Sequence, residues 1–304
     1  MNIFTKKLLT IVSSFKGTFN GAYNLRENGV CAGRQSSDNI VITDLDDKSG
    51  ISVHVKAGTK GETVYIPACV TTSGMRDSVN NDFYIGESAD VKIIAGCGIH
   101  ADGQETTVHS GTHRFFIEQN ARVEYVEKHI GTGDAHSKEI HTKTQFALAE
   151  NATVIMSSEQ LGGVSKAIRS TSATLADRSV YTVRERLLTD GCDNLDTSFE
   201  VLLNGEDSKT DIVSRSVARG NSNQRYNSRI VGNGRCTGHS ECDAILAESG
   251  TVDAAPCLSA KSVDAELIHE AAIGKIAGEQ ITKLCSLGLT REEAEEKIIE
   301  GFLK

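Results

Sequence analysis

The segment IEQNARV, Ile117–Val123, has a near copy on either side. IGESADV, Ile85–Val91, begins 32 residues before it, and LAENATV, Leu148–Val154, begins 31 residues after it. Each opens on an apolar residue, carries an acidic residue nearby, passes through a small or polar turn and reaches Val at the seventh position. LAESGTV, Leu246–Val252, repeats the pattern, and LADRSV, Leu175–Val180, is a shortened version. Periods of 20–50 residues mark stacked supersecondary units. The intervening sequence decides which kind. From about Asn39 to about Ala265 the chain reads as short strands, among them NIVITDL, ETVYIPACV, RVEYVEKH and VYTVRERLL, which alternate or run apolar and end in Gly, Asn or Asp. Strands and turns without helices between them predict a β-solenoid, in which each coil covers its neighbour's apolar face. A sandwich whose turns merely look alike is the competing architecture.

Composition agrees with a stacked core of small and branched residues. Gly is abundant (28), Pro nearly absent (2), Trp absent, and aromatics make up 5% of 304 residues. A formal net charge of -9 and the lack of any Lys/Arg run argue against nucleic acid. No apolar run approaches the roughly 20 residues of a membrane helix. In MNIFTKKLLTIVSSF the apolar stretch Leu8–Val12 is short for a signal peptide, so a short amphipathic helix and a cytoplasmic protein are expected. The eight Cys then read as thiols or metal ligands, not as a disulfide framework.

The pattern changes near Ile268. Ile273, Ile276, Ile281, Leu284 and Leu287 fall at helical intervals, and Gly288 is a plausible stop. Thr290-x-x-Glu293 then reads as a capping box opening a last helix, whose Ile298, Ile299, Phe302 and Leu303 lie on or near one face. The expected organisation is an N-terminal helical or irregular segment (1–38), a solenoid core (39–265) and a C-terminal helical unit (266–304).

Three clusters could carry chemistry. CTGHSEC holds Cys236, His239, Glu241 and Cys242; on a strand the two Cys share one face and His239 takes the other. Thiolate with imidazole suits zinc or iron–sulfur chemistry, and two buried Cys beside a surface His is the plainer reading. AGCGIH with HSGTHRF holds Cys97, His100, His109 and His113. Its glycines allow close backbone approach or a tight turn, and His109 and His113 would share a strand face. IHEA holds His269 beside Glu270. No phosphate-binding loop or nucleophile elbow is present; GKIAGEQ lacks the G-x-x-x-x-G-K-[ST] pattern.

Taken together, GHSECDAILAE and AELIHEAAIGKIAGEQITKLCSLGLTREEAEEKIIEGFLK resemble the carboxy-terminal core of the SufB/SufD family, scaffold subunits of the Suf iron–sulfur cluster assembly machinery. The resemblance is strongest from DIVSRSVARG, at Asp211, to the end, and continues more weakly back through NDFYIGESADVKIIAGCG. It implies a right-handed parallel β-helix with flanking helices. It implies a non-enzymatic scaffold that builds a transient iron–sulfur cluster and passes it to apo-proteins. It implies an ABC-type ATPase partner, SufC, docked on the C-terminal helices, so that this chain binds no nucleotide itself. The SufB branch carries Cys in a C-D-[SA]-[MI]-[LI] context and a His-Glu pair, which here match Cys242, His269 and Glu270 as candidate cluster ligands. Cys236, His239, Cys97, His109 and His113 are weaker metal candidates. The chain is shorter than full-length SufB and resembles compact single-scaffold forms, implying a homodimer, or a heterodimer with a paralogue. A non-ligating SufD-like subunit and a metal-dependent β-helix enzyme are the alternatives.

Overall fold

The computed structural model describes residues 2–135 and 137–304. Helix α1 (Ile3–Ser13) leads into an antiparallel hairpin, β1 (Ala22–Glu27) with β2 (Val30–Gln35), and an antiparallel pair, β3 (Ile40–Asp44) with β4 (Gly50–Val55). From there the strands fall alternately into two parallel sheets. One takes β5 (Lys60–Val70), β7 (Asp90–His100), β9 (Arg122–Thr132), β11 (Thr153–Gln160), β13 (Val180–Thr189), β15 (Ser208–Ala218), β17 (Cys236–Leu246) and β19 (Ala265–Lys275). The other takes β6 (Arg76–Ile85), β8 (Thr107–Ile117), β10 (Lys138–Leu148), β12 (Lys166–Leu175), β14 (Asn194–Leu203), β16 (Asn223–Gly232) and β18 (Thr251–Ala260). Neighbours within a sheet are thus two strands apart in sequence, and the chain forms a β-solenoid of about 8 turns.

The repeated heptads are corners of this solenoid. Ser88, Asn120, Asn151 and Arg178 each adopt a left-handed backbone, with φ between 55 and 58°. That conformation costs most residues about 1–2 kcal/mol, and Asn least. It is held by stacking. The N–H groups of these four residues donate to the carbonyl oxygens of Gln119, Glu150, Asp177 and Glu206 on the next coil, at 2.8–3.1 Å. LAESGTV occupies the opposite corner, between β17 and β18, where Glu248 is the left-handed residue. The heptad therefore encodes a turn geometry and not one edge of the solenoid.

Alternation along each strand fills the interior. Phe83, Phe115 and Phe146 stand in register on β6, β8 and β10, with ring centroids 4.3 and 4.7 Å apart, a stacked arrangement that adds to the burial of the rings. Helix α1 lies against β7, where Gly96 and Gly98 make the approach possible. A Cβ on Gly96 would sit 2.7 Å from Val12 Cβ, and one on Gly98 2.9 Å from Leu8 Cβ. The close approach read from the glycines around Cys97 is thus an approach of α1.

Two expectations are corrected. Residues 22–35, placed in a helical or irregular segment, form the β1–β2 hairpin. The helix read from Ile268 is a strand as far as Lys275, because β17 offers it eleven consecutive parallel pairings, from Cys236↔Ala265 to Leu246↔Lys275. A ladder of that length outweighs the weak helical spacing of the sequence. Helices follow as α2 (Gly278–Ser286) and α3 (Arg291–Phe302). The Thr290/Glu293 capping box is formed in full at the start of α3. Helix α3 buries Ala294 and Ile299 and ties to the solenoid through Arg219–Glu296 at 3.0 Å.

The two ends differ. Antiparallel pairing with β2 and β3 finishes the N-terminal coil, whereas β18 and β19 end their sheets unpaired and exposed. Among the described residues no helix is long and apolar enough to cross a membrane.

Candidate functional site

Cys242, His269 and Glu270 fall on the last two strands of one sheet. Strand alternation divides them. On β17 the buried positions are Cys236, Gly238, Ser240, Cys242 and Ala244, and the outward ones include His239, Glu241 and Asp243. In a parallel pair, residues in register share a face. His269 pairs with Ser240 and Glu270 with Glu241. His269 therefore belongs to the inner face with Cys242, and Glu270 to the outer face with His239 and Glu241. Adjacency in sequence places the imidazole and carboxylate of IHEA on opposite sides of the strand.

On the inner face, Cys242 is 1% exposed and packs in the hydrophobic core with Cys236. Burial pushes its thiol up to about 12, with Glu185 and Asp243 adding to the effect. Burial likewise raises the Cys236 thiol. As folded, both are thiols and not thiolates. His269 keeps Nδ1 buried with no hydrogen-bond partner, an atom that normally costs free energy unless something satisfies it.

The outer face carries a tighter group. One donor atom from each of His239, Glu241 and Glu270 lies within 4.8 Å of the others. His239 Nδ1 is 2.8 Å from Asp211 Oδ1. Burial draws the Asp211 carboxyl upward, but hydrogen bonds from His239 and Arg184 outweigh this and hold it below its usual range. Asp211 is thus an acceptor, Nδ1–H of His239 donates to it, and Nε2 turns toward Glu270 Oε2 at 3.7 Å. Burial and the neighbouring Asp243 raise the Glu241 carboxyl. Asp211 escaped the sequence reading. Its signal is the coil spacing, since it stands in register with His239 one coil back.

The cluster read from AGCGIH and HSGTHRF assembles in part. Cys97, His109 and His113, with Glu127, line one cavity of about 20 Å³ inside the solenoid, room for a single water molecule. Gly111 lies between the two imidazoles on β8, and a Cβ there would meet His113 Nε2 at 3.2 Å. His109 Nδ1 donates to Asp77 at 3.0 Å. His100 stands apart, stacked on Phe4.

A β-solenoid whose final coil gathers thiol, imidazole and carboxylate side chains at an unpaired end has the makings of a metal- or cluster-handling scaffold. The comparisons give the family. Residues 71–302 match the family model described as "SUF system FeS cluster assembly, SufBD core domain". The chain belongs to the SufBD family of iron–sulfur cluster assembly proteins. It is 30% identical over 272 residues to an "Iron-sulfur cluster assembly SufBD family protein" of Archaeoglobus fulgidus, covering 86% of this chain and 70% of that one. It is 29% identical to one of Methanothermobacter thermautotrophicus, covering 84% of this chain and 63% of the relative. A third, from Pyrococcus horikoshii, is 27% identical, with 91% and 78% covered.

Proposed function

We propose that this chain is a scaffold on which a nascent iron–sulfur cluster is assembled, with Cys242 and His269 as its ligands, and from which the cluster passes to apo-proteins. The observation that supports this most is the terminal coil. Its inner face presents a thiol and an imidazole with an unsatisfied nitrogen, next to sheet edges that nothing covers. A second subunit, another copy or a paralogue, meeting that end would supply further ligands. Sulfur and nitrogen donors suit iron–sulfur chemistry, and a mixed set holds a cluster less firmly than four thiolates would, as a donor requires. Glu270, expected beside Cys242 and His269, faces the other way. An ABC-type ATPase docking on α2 and α3 would supply the energy this chain has no nucleotide loop to harness, and movement of those helices would reach β19 directly, since α2 begins three residues after it.

A non-ligating, SufD-like role is favoured by one observation, the burial of Cys242 among core side chains. The two readings separate in a reconstitution. The chain is purified anaerobically with its ATPase, and iron and acid-labile sulfide are measured for wild type, Cys242→Ala and His269→Ala. The scaffold reading expects a cluster that both substitutions abolish or make labile. A normal cluster in Cys242→Ala, or none in wild type until a separate paralogue is added, overturns it.

A further inference from the structure

The outer face of the solenoid is laced with ion pairs. Many charges that meet in register across its parallel strands are opposite in sign: Asp82 with Arg114, Lys92 with Glu124, Lys128 with Glu159, Glu159 with Arg186, and Glu200 with Arg229 all form ion pairs at 2.5–3.0 Å. Arg186 and Arg215 meet as like charges, and there Arg186 has Glu159 as a counter-ion at 3.0 Å; Glu241 and Glu270 are a like pair of the opposite sign. They are two carboxylates directly opposite each other, an arrangement that destabilises a strand pair. Among the described residues neither makes an ion pair with Lys or Arg; their salt-bridge partner is His239, on Glu270. That imidazole is oriented from behind, its Nδ1–H held by Asp211, which is itself clamped by Arg184 at 2.5 Å. A carboxylate fixing one nitrogen of a His so that the other faces a site is the arrangement found behind metal-bound imidazoles.

We infer that His239, Glu241 and Glu270 form a mononuclear binding site for a divalent first-row transition-metal cation on the outer face of the last coil, positioned by Asp211. One imidazole with two carboxylates suits Fe²⁺, Mn²⁺ or Zn²⁺ and contains no thiolate. A dication between Glu241 and Glu270 would offset the repulsion between the two carboxylates. The site is separated by the thickness of one strand from the inner face that carries Cys242 and His269. Resting on the scaffold reading above, its cargo would be Fe²⁺, held outside the sheet from the cluster ligands within it.

Cobalt(II) is a probe that reports its own ligands. The full-length chain is stripped with chelator and titrated with Co²⁺, in wild type, His239→Ala, Glu241→Gln, Asp211→Asn and Cys242→Ala, with circular dichroism to confirm that each variant folds. One Co²⁺ per chain is expected, with weak visible bands and none of the intense near-ultraviolet absorption of sulfur–cobalt bonds. Glu241→Gln, nearly isosteric, should weaken binding at least as much as Asp211→Asn, for which loss of an outer-shell partner predicts roughly 10–100-fold. Cys242→Ala should bind Co²⁺ as wild type does. No uptake by wild type, a sulfur–cobalt band, or unchanged affinity in Glu241→Gln and His239→Ala overturns the site. A defective cluster in Cys242→Ala with intact Co²⁺ binding leaves both readings standing, whereas normal cluster assembly in Cys242→Ala removes the scaffold ligands and not this site.

Discussion

Arg169 lies inside the solenoid, 2% exposed, with its Nη2 3.2 Å from Oε2 of Glu127. The same guanidinium reaches Glu185 through Nε at 3.4 Å and donates from Nη1 to His129 Nδ1 at 2.7 Å. A guanidinium only donates, so His129 accepts at Nδ1 and carries its proton on Nε2, 3.5 Å from Glu127 Oε1. One cation thus serves two carboxylates. Burial would raise the Glu127 carboxyl, but His129 and Arg169 hold it well below its usual range, whereas burial prevails at Glu185 and raises it.

Truncating Arg169 strands a buried charge. Arg169→Ala should lower stability by about 3–5 kcal/mol, the range for breaking a buried pair from one side. Replacing Arg169, Glu127 and Glu185 together with apolar residues of similar volume should recover most of that loss. Denaturant unfolding of the single and triple variants checks it; a triple variant weaker than Arg169→Ala would refute the account.

The buried imidazoles set a pH dependence. Burial brings His113 down from 6.5 to about 4, against an opposing pull from Glu127. Its folded pKa is depressed, so between about 6.5 and about 4 the unfolded chain binds a proton that the folded chain does not. Stability is then full above about pH 6.5 and falls with pH across that window, by about 3 kcal/mol from this residue. His113→Gln should flatten a plot of unfolding free energy against pH over that range. Glu127, also depressed, adds a further loss at lower pH as its carboxyl is forced to protonate.

Thiol labelling should follow burial. Cys31, Cys192 and Cys257 are exposed; Cys69, Cys97, Cys236 and Cys242 are buried. Burial raises the Cys69 and Cys242 thiols to about 12, and a thiol with so little thiolate is a poor nucleophile. Iodoacetamide at mildly alkaline pH should therefore modify the exposed three first, and mass spectrometry should find Cys242 unmodified until the chain is denatured. Fast labelling of Cys242 in the folded protein would mean that the last coil opens.

The corners predict opposite outcomes for glycine. Ser88 sits at φ 57° beside an exposed turn. Ser88→Gly should stabilise or leave stability unchanged, by up to about 1 kcal/mol, because glycine takes that conformation freely. Gly131→Ala should do the reverse, since a Cβ there would fall 1.8 Å from the Gly163 carbonyl oxygen. Thermal unfolding of the two variants should move in different directions.

Much of the fold was legible because the solenoid repeats its turns in sequence. Asn120 and Asn151 mark left-handed corners, and the apolar residues flanking them mark the strands. The last strand was not legible. In AELIHEAAIGKI the apolar residues satisfy a helical spacing, and the register with Cys236–Leu246 that makes it a strand depends on a neighbour nearly thirty residues away. Misreading that segment hid the geometry of the site. Read as the start of a helix, His269 and Glu270 seem to act together; paired to β17 they part to opposite faces, and Glu270 joins His239, which had looked like a surface residue. The buried cluster around Cys97 was visible as a pattern of residue types, whereas its link to Arg169 and Glu127 needed the stacking of coils.

The unpaired edge of β19 has a consequence for how this protein responds to forces. In a stack where each coil is braced only by its neighbours, an interior coil has two braces and the last has one. The free energy needed to loosen a strand is therefore lower at β19, where His269 and Glu270 reside, than at β17 behind it, which carries Cys242 and is paired on both sides. Whatever binds that end contributes the missing brace, and its departure withdraws it. Order at the chemical end of the stack becomes something a partner can lend, while the coils behind it stay rigid.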